Sequence, residues 1–222
     1  MGFDQTLDRM RAQVGGDVIA TLRRSSELGY LGRMRVEDQV DHALGFVAAV
    51  EGALDRPPGS AVDLGTGGGV PGVVLHASWP RCHVVLMDGS QKRTEFLSRE
   101  VEGWGGPGTA EVVRGRAEEL GRDDRFRQRF DVVAARSFGP PAVTAECGAP
   151  LLRVGGLLVV SEPPGDQDIQ RWPAEGLDLV GLAPLAHTRF DDRFSYQVLT
   201  KTNATSDRFP RRVGIPTKRP LF

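Results

Sequence analysis

Ala61-Val-Asp63-Leu-Gly65-Thr-Gly67-Gly-Gly69-Val70-Pro71-Gly72 decides how this chain is read. A short apolar run carries an acid near its end, then gives way to glycines at 65, 67, 68, 69 and 72. Glycine has no Cβ, so backbone N–H groups in such a turn can come close to a ligand. Pro71 suits the first turn of a following helix, whose unpaired N–H donors carry a partial positive charge. The order is strand, acid, glycine turn, helix, and it suits a nucleotide-like ligand.

Two registers of this loop compete. Gly67-x-Gly69-x-x-Gly72 satisfies the dinucleotide fingerprint, with Asp88 at the distance expected of a ribose contact. Counted from Asp63, the same residues read Asp-x-Gly-x-Gly, the loop of S-adenosylmethionine-dependent methyltransferases. The acid inside the first strand favours the second register. S-adenosylmethionine has an ammonium that a carboxylate can meet, and it has no pyrophosphate to cradle.

The rest of the chain narrows the class. At 222 residues it suits one α/β domain with an appendage. The 40% hydrophobic content and 28 glycines fit a folded domain with many tight turns. No apolar stretch approaches the roughly 20 residues that span a bilayer. Met1-Gly-Phe-Asp-Gln lacks the apolar core of a signal peptide, so a cytoplasmic protein without a membrane partner is expected. Cys82 and Cys147 are isolated, and the four histidines are scattered, so no metal site is expected. Residues 201–222 hold six basic side chains and one acid, a net +5, within a chain of net charge −1. This basic tail is either a polyanion contact or a solubilising end.

Helical spacing of Phe3, Leu7, Met10 and Val14, continued by Val18, Ile19 and Leu22, predicts a first helical region. A second helix is predicted from Val36 to about Leu54. Strands are then predicted at Ala61–Leu64, Cys82–Met87, Ala110–Val113, Asp131–Ala135 and Gly156–Val160. Helices are predicted between them, at Val70–Ser78, Ser90–Gly103, from Ala117, and at Pro141–Leu151, the last followed by a turn at Arg153–Gly156. Such alternation implies a parallel sheet covered on both faces. Leu177–Leu185 and Arg193–Thr200 read as two further strands without a helix between them, hence an antiparallel pair. The expectation is a Rossmann-like, seven-stranded α/β methyltransferase fold with a helical N-terminal cap. Its parts are a cap at 1–56, a cofactor domain at 57–202 and a Pro/Arg-rich tail at 203–222. The prolines of the tail predict an extended course.

Strand ends nominate the site. Asp88 can accept both ribose hydroxyls, or cap the helix that follows. Backbone groups of Ala117 and Glu118 can read an adenine edge, and acids there also favour a helix start. Arg136 follows the fourth strand and faces the transferring methyl in this layout. It stays protonated, so it can pair with a carboxylate, orient a carbonyl or bind phosphate, but it is no general base. Ser161-Glu162-Pro163-Pro164 distantly echoes the Asp-Pro-Pro-aromatic motif of amine-methylating enzymes, but it follows the fifth strand and lacks the aromatic. A turn leaving the sheet is the expected reading.

Assembled, these residues resemble the bacterial 16S ribosomal RNA guanine-N7 methyltransferase G family, also called glucose-inhibited division protein B. The resemblance rests on Asp63–Gly72, Asp88-Gly-Ser-Gln-Lys-Arg93, Gly115-Arg-Ala-Glu-Glu119, Phe130-Asp-Val-Val-Ala-Ala-Arg136, and the tail Phe209-Pro-Arg-Arg-Val-Gly-Ile-Pro-Thr-Lys-Arg-Pro220. It implies that Gly65 and Val70 contact S-adenosylmethionine, alongside Asp63, Gly67 and Asp88, which the loop pattern and the second strand end already nominate. It implies that Ala117 and Glu118 flank adenine and that Arg136 is the arginine of the reaction centre. A monomer acting on ribosomal RNA or the small subunit is expected, with Phe138, Arg211, Arg212, Lys218 and Arg219 as RNA contacts. The chain departs from the family at His42-Ala-Leu-Gly-Phe-Val47, where an acid and a serine are missing, and at Glu162-Pro-Pro164, where the family has lysine–glycine. The family's asparagine-rich N-terminal stretch has no counterpart. These departures leave open a small-molecule or other nucleic-acid substrate, or binding of the cofactor without catalysis.

Overall fold

Successive side chains along the central strands enter two different cores. Ala61, Val84, Val132 and Leu157 face one, while Val62, Val85, Val133 and Leu158 face the other. A strand buried on both faces must be apolar throughout, which is why these segments read as continuous hydrophobic runs. The structure, a computed structural model, describes residues 8, 10–104, 108–163, 171–190 and 193–222. Phe3, Leu7, the N-terminal pentapeptide and Pro164 lie outside the described residues.

The strands are β1 (Ser60–Leu64), β2 (His83–Asp88), β3 (Thr109–Arg114), β4 (Phe130–Ala135), β5 (Leu152–Glu162), β6 (Leu182–Phe190) and β7 (Phe194–Lys201). The helices are α1 (Gly16–Glu27), α2 (Val36–Glu51), α3 (Gly72–Ser78), α4 (Gln91–Val101), α5 (Ala117–Leu120), α6 (Pro141–Gly148), α7 (Ala174–Asp178) and α8 (Ile215–Lys218). The strands form one sheet in the order β3-β2-β1-β4-β5-β7-β6. Neighbours from β3 to β5 run parallel, and β7 lies antiparallel between β5 and β6. Strand order reverses between β1 and β4, which opens a crevice at their carboxyl ends. Helices α1 to α4 contribute to the first core, and α6, α7 and the 3₁₀ turn Ala149–Leu151 to the second.

Helix α2 approaches the sheet closely. A Cβ on Gly45 would collide with the Tyr196 hydroxyl and ring, so only glycine admits this contact. The Tyr196 hydroxyl donates to the His42 carbonyl at 2.6 Å and fixes the height of α2 above β7. Arg193 ties the same helix to the hairpin, donating to Asp38 and Asp41 at 2.8 Å each.

Three expectations are corrected. The residues 177–180 belong to α7 and the turn after it, and β6 begins at Leu182. Pro173 precedes that helix, and Gly181 turns the chain with φ +73°, so the apolar run is split between two elements. Arg153–Gly156 lies within β5 as a bulge: Phe130 pairs with Leu152, but Val132 pairs with Leu157. The tail is not wholly extended, since α8 carries Pro216 in its first turn, where a missing N–H is harmless. Tail carbonyls are gripped from the domain. Arg122 donates to Pro210 O at 2.7 Å, and Arg127 to Thr205 O at 2.7 Å and Phe209 O at 3.0 Å. Phe209 is buried in the second core.

Candidate active site

The loop after β1 folds back on its own strand ends. Gly65 and Thr66 donate to the Met87 carbonyl at 2.9 and 2.8 Å. Gly65, Gly67 and Gly69 adopt φ of +77°, +56° and +105°, which L side chains rarely take. Asp88 fastens the loop: Oδ2 accepts from Gly67 N–H at 2.8 Å and Oδ1 from Ser90 N–H at 2.7 Å. Below the loop, Asp63 Oδ2 accepts from Gly72 N–H at 2.7 Å.

A cavity of about 160 Å³ opens above these strand ends. It brings together Gly65, Asp88, Ala117, Glu118 and Phe138, with Thr217 of the tail in its wall. Each Asp88 oxygen has accepted one hydrogen bond, and a carboxylate oxygen takes two, so acceptor capacity remains. Gly67 reaches the cavity only through its bond to Asp88. Val70 and Asp63 are not in its wall. Val70 is buried in the first core, so its side chain packs against protein. Asp63 is fully buried beneath the glycines, where burial pushes its carboxyl up to about 7. Its Oδ1 has no hydrogen-bond partner among the described residues.

Glu118 is also turned inward. Its carboxylate accepts from Gly214 N–H at 2.9 Å and so tethers the tail beside the cavity. Arg211 is fixed in the same way, by Glu146, a fully buried carboxylate. Its backbone N–H and Nε both donate to Oε1 at 2.8 Å, and Nη2 to Oε2 at 2.6 Å. Arg211, read from sequence as an RNA contact, is thus engaged within the protein. Arg212, Lys218 and Arg219 remain exposed.

A second cavity, of about 250 Å³, lies on the other side of Phe138, which lines both. His42, Ser161, Glu162, Arg171 and Trp172 contribute to its wall. The His42 ring stacks on Phe194, with centroids 4.6 Å apart and planes 3° from parallel. Burial, reinforced by the Arg136 charge, pushes its pKa down to about 3. Trp172 Nε1 donates to Glu162 Oε1 at 2.9 Å, and Arg171 Nε lies 3.0 Å from Oε2. Arg136 is half-buried and makes no hydrogen bond or ion pair among the described residues, to Asp63 and Asp88 included. Sequence reasoning missed Arg171 and Trp172 and set Glu162 aside. The available signal was positional, because Glu162 ends β5 as Asp88 ends β2.

The first cavity fits S-adenosylmethionine. A carboxylate with spare acceptor capacity stands where a ribose needs it, close backbone approach is possible at Gly65, and a buried acid bonded through one oxygen to Gly72 lies beneath. Among the described residues no cluster of three metal-ligating side chains occurs, and no helix is long and apolar enough to cross a membrane.

Solved structures agree on the fold. A Klebsiella pneumoniae protein described as an O-methyltransferase aligns with TM-score 0.59 and 11% identity, covering 87% of this chain and 94% of that one. The antibiotic-resistance methyltransferase Kmr aligns with TM-score 0.53 and 15% identity, covering 69% and 92%. Sequence relatives are more specific. The ribosomal RNA small subunit methyltransferase G of Carboxydothermus hydrogenoformans is 37% identical over 73% of this chain and 71% of its own. That of Symbiobacterium thermophilum is 35% identical over 82% and 78%. Residues 36–166, from α2 to just beyond β5, match the family described as rRNA small subunit methyltransferase G. The glycine loop, the strand-end acids and both cavity walls up to Glu162 all fall within that match, and the chain belongs to this family.

Proposed function

We propose that this protein is a cytoplasmic, monomeric S-adenosylmethionine-dependent enzyme that methylates N7 of a guanine in small-subunit ribosomal RNA. The observation that carries the reading is the pair of cavities divided by Phe138 at the switch point of the sheet, one suited to a nucleoside and one to a base. When bound, S-adenosylmethionine supplies a methyl group on a sulfonium. Guanine N7 would accept that methyl through a lone pair that carries no proton, so the chain would need no general base there.

The groups near the divide match such a reaction. His42 is a poor proton acceptor at a pKa of about 3. Asp63 is bonded to Gly72, and Glu162 is held by Trp172 and Arg171. The chain therefore contributes alignment and exclusion of water rather than acid–base chemistry. Asp88 accepts the ribose hydroxyls, Ala117 and Glu118 present backbone groups to adenine, and Phe138 stacks against the unstacked guanine. Arg136, which follows β4, is the arginine that this reading assigns to the reaction centre. Arg212, Lys218 and Arg219 receive RNA phosphates close to Thr217, which reaches the cofactor cavity.

Mapping methylated positions in small-subunit RNA from cells with and without the protein tests this reading. One guanine should lose its N7 methyl in the deletion. It should regain it with the wild-type chain, but not with Arg136→Ala, whose melting temperature should match wild type. An unchanged map would overturn the substrate, and a destabilised Arg136→Ala whose folded fraction keeps full specific activity would make that residue structural.

A further inference from the structure

The cavity at the end of β5 holds a carboxylate in a setting that the methyl-transfer chemistry does not require. We infer that it is a guanine pocket in which Glu162 accepts hydrogen bonds from N1–H and the 2-amino group, and so selects the base. The inference rests on the proposed transfer to guanine N7 and deepens it.

The walls favour one heteroaromatic base. Phe138 and Trp172 offer aromatic surfaces on which an unstacked base can lie. His42, braced against Phe194, gives a stiff third wall.

The selection follows from counting lone pairs. A carboxylate has about four acceptor sites. Trp172 Nε1 occupies one on Oε1, and Arg171 Nε approaches one on Oε2. Among the described residues one site on each oxygen is left, a bidentate acceptor. Guanine is the RNA base whose Watson–Crick edge presents two adjacent donors. Adenine and cytosine set a ring acceptor beside their amino group, and uracil has one donor between two carbonyls. Each of these would bring an acceptor against Glu162 in a buried site, where an unmatched polar group is costly.

The same contact orients the reaction. N7 lies on the edge of the purine away from N1 and the 2-amino group. Anchoring the Watson–Crick edge at Glu162 therefore turns N7 away from the end of β5. Phe138 is the wall that the two cavities share, and N7 is left on the edge that Glu162 does not engage.

The test uses the whole chain with GMP, IMP and AMP as probes. The readout is the Trp172 indole N–H resonance, assigned by its loss in Trp172→Phe. GMP should shift it at roughly tenfold lower concentration than IMP, which lacks the 2-amino donor. AMP should be weakest. In Glu162→Gln, which keeps the shape but replaces one acceptor by a donor, the preference for GMP should vanish while S-adenosylmethionine affinity is unchanged. Equal response to GMP and AMP in wild type, no response to any of the three, or a preference retained in Glu162→Gln would overturn the inference. Should Glu162→Gln not fold, the wild-type ranking alone decides. Labelling of small-subunit RNA by the wild-type enzyme, run in parallel, separates the two claims. RNA labelling without nucleotide preference removes the guanine pocket alone. Nucleotide preference without RNA labelling supports the pocket and removes the ribosomal substrate.

Discussion

The two cavities that meet at Phe138 are built by different means. The cofactor side is made of backbone and strand-end acids drawn from three short windows, around Gly65, Asp88 and Ala117. The base side is made of side chains from distant segments: His42 on α2, Phe138 after β4, Glu162 at the end of β5 and Trp172 before α7. Backbone recognition demands glycines and turns, which persist as a motif. Side-chain recognition demands only that the fold bring suitable groups together, and it leaves little mark on the sequence.

The sharpest way to break this contrast is through the tail, which supplies Thr217 to the cofactor side. Arg211→Ala should leave the fully buried Glu146 without its cation, at a cost of about 3 kcal/mol. For a chain of this size the melting temperature should fall by about 6–12 °C. S-adenosylmethionine affinity, read by calorimetry, should fall with it. Neutralising Arg212, Lys218 and Arg219 together should instead change stability by less than about 0.5 kcal/mol. Its effect should be a shallower dependence of RNA affinity on salt, from lost counterion release. Equal stability of the two variants would mean that Glu146 finds another partner.

A smaller effect separates strain from contact within the loop. A Cβ on Gly65 would stand 2.7 Å from Phe138 Cδ2, at φ +77°. Gly65→Ala should therefore displace Phe138 and weaken both the cofactor and GMP. A Cβ on Gly67 would meet nothing closer than 3.9 Å. Gly67→Ala should show the backbone penalty alone, roughly 1–2 kcal/mol, felt by the cofactor and not by GMP. Matching losses in both variants would show that Phe138 does not couple the cavities.

The mildest probe is pH. Asp63 has a folded pKa raised from 3.8 to about 7, so its contribution to stability is full below pH 3.8 and is lost as pH rises through 7. His42 has a folded pKa lowered from 6.5 to about 3, so its contribution is full above pH 6.5 and is lost as pH falls through 3. Between pH 4 and 6.5 the two slopes oppose each other. Urea unfolding of Asp63→Asn should expose the His42 slope, with stability falling on acidification. His42→Gln should expose the Asp63 slope, with stability falling as pH rises. Parallel curves for both variants would assign the titration to other groups.

The sequence carried the sheet clearly, because strands buried on both faces must be apolar and the turns between them carry glycine. It also carried the glycine loop and Asp88. It did not carry the position of Asp63, since a strand acid can point up to a ligand or down beneath the loop. It misplaced the start of β6, because Leu177 and Val180 are apolar in either element and Gly181 alone marks the break. Arg211 and Arg212 are adjacent and chemically equal, yet only the first lies against Glu146, a contact made across 65 residues. The base cavity was hidden for the same reason: His42 and Trp172 are far apart in the chain, and neither belongs to a spacing that sequence periodicity can detect.

Phe138 also determines where selective inhibition must be sought. A compound confined to the Gly65–Ala117 side meets mainly peptide groups, which any enzyme with such a loop presents alike. A compound extending past the ring meets the side chains of Glu162 and Trp172. Resistance by enlarging or removing the ring would alter the walls of both natural ligands at once. An inhibitor that spans the divide is therefore the design against which escape is most expensive.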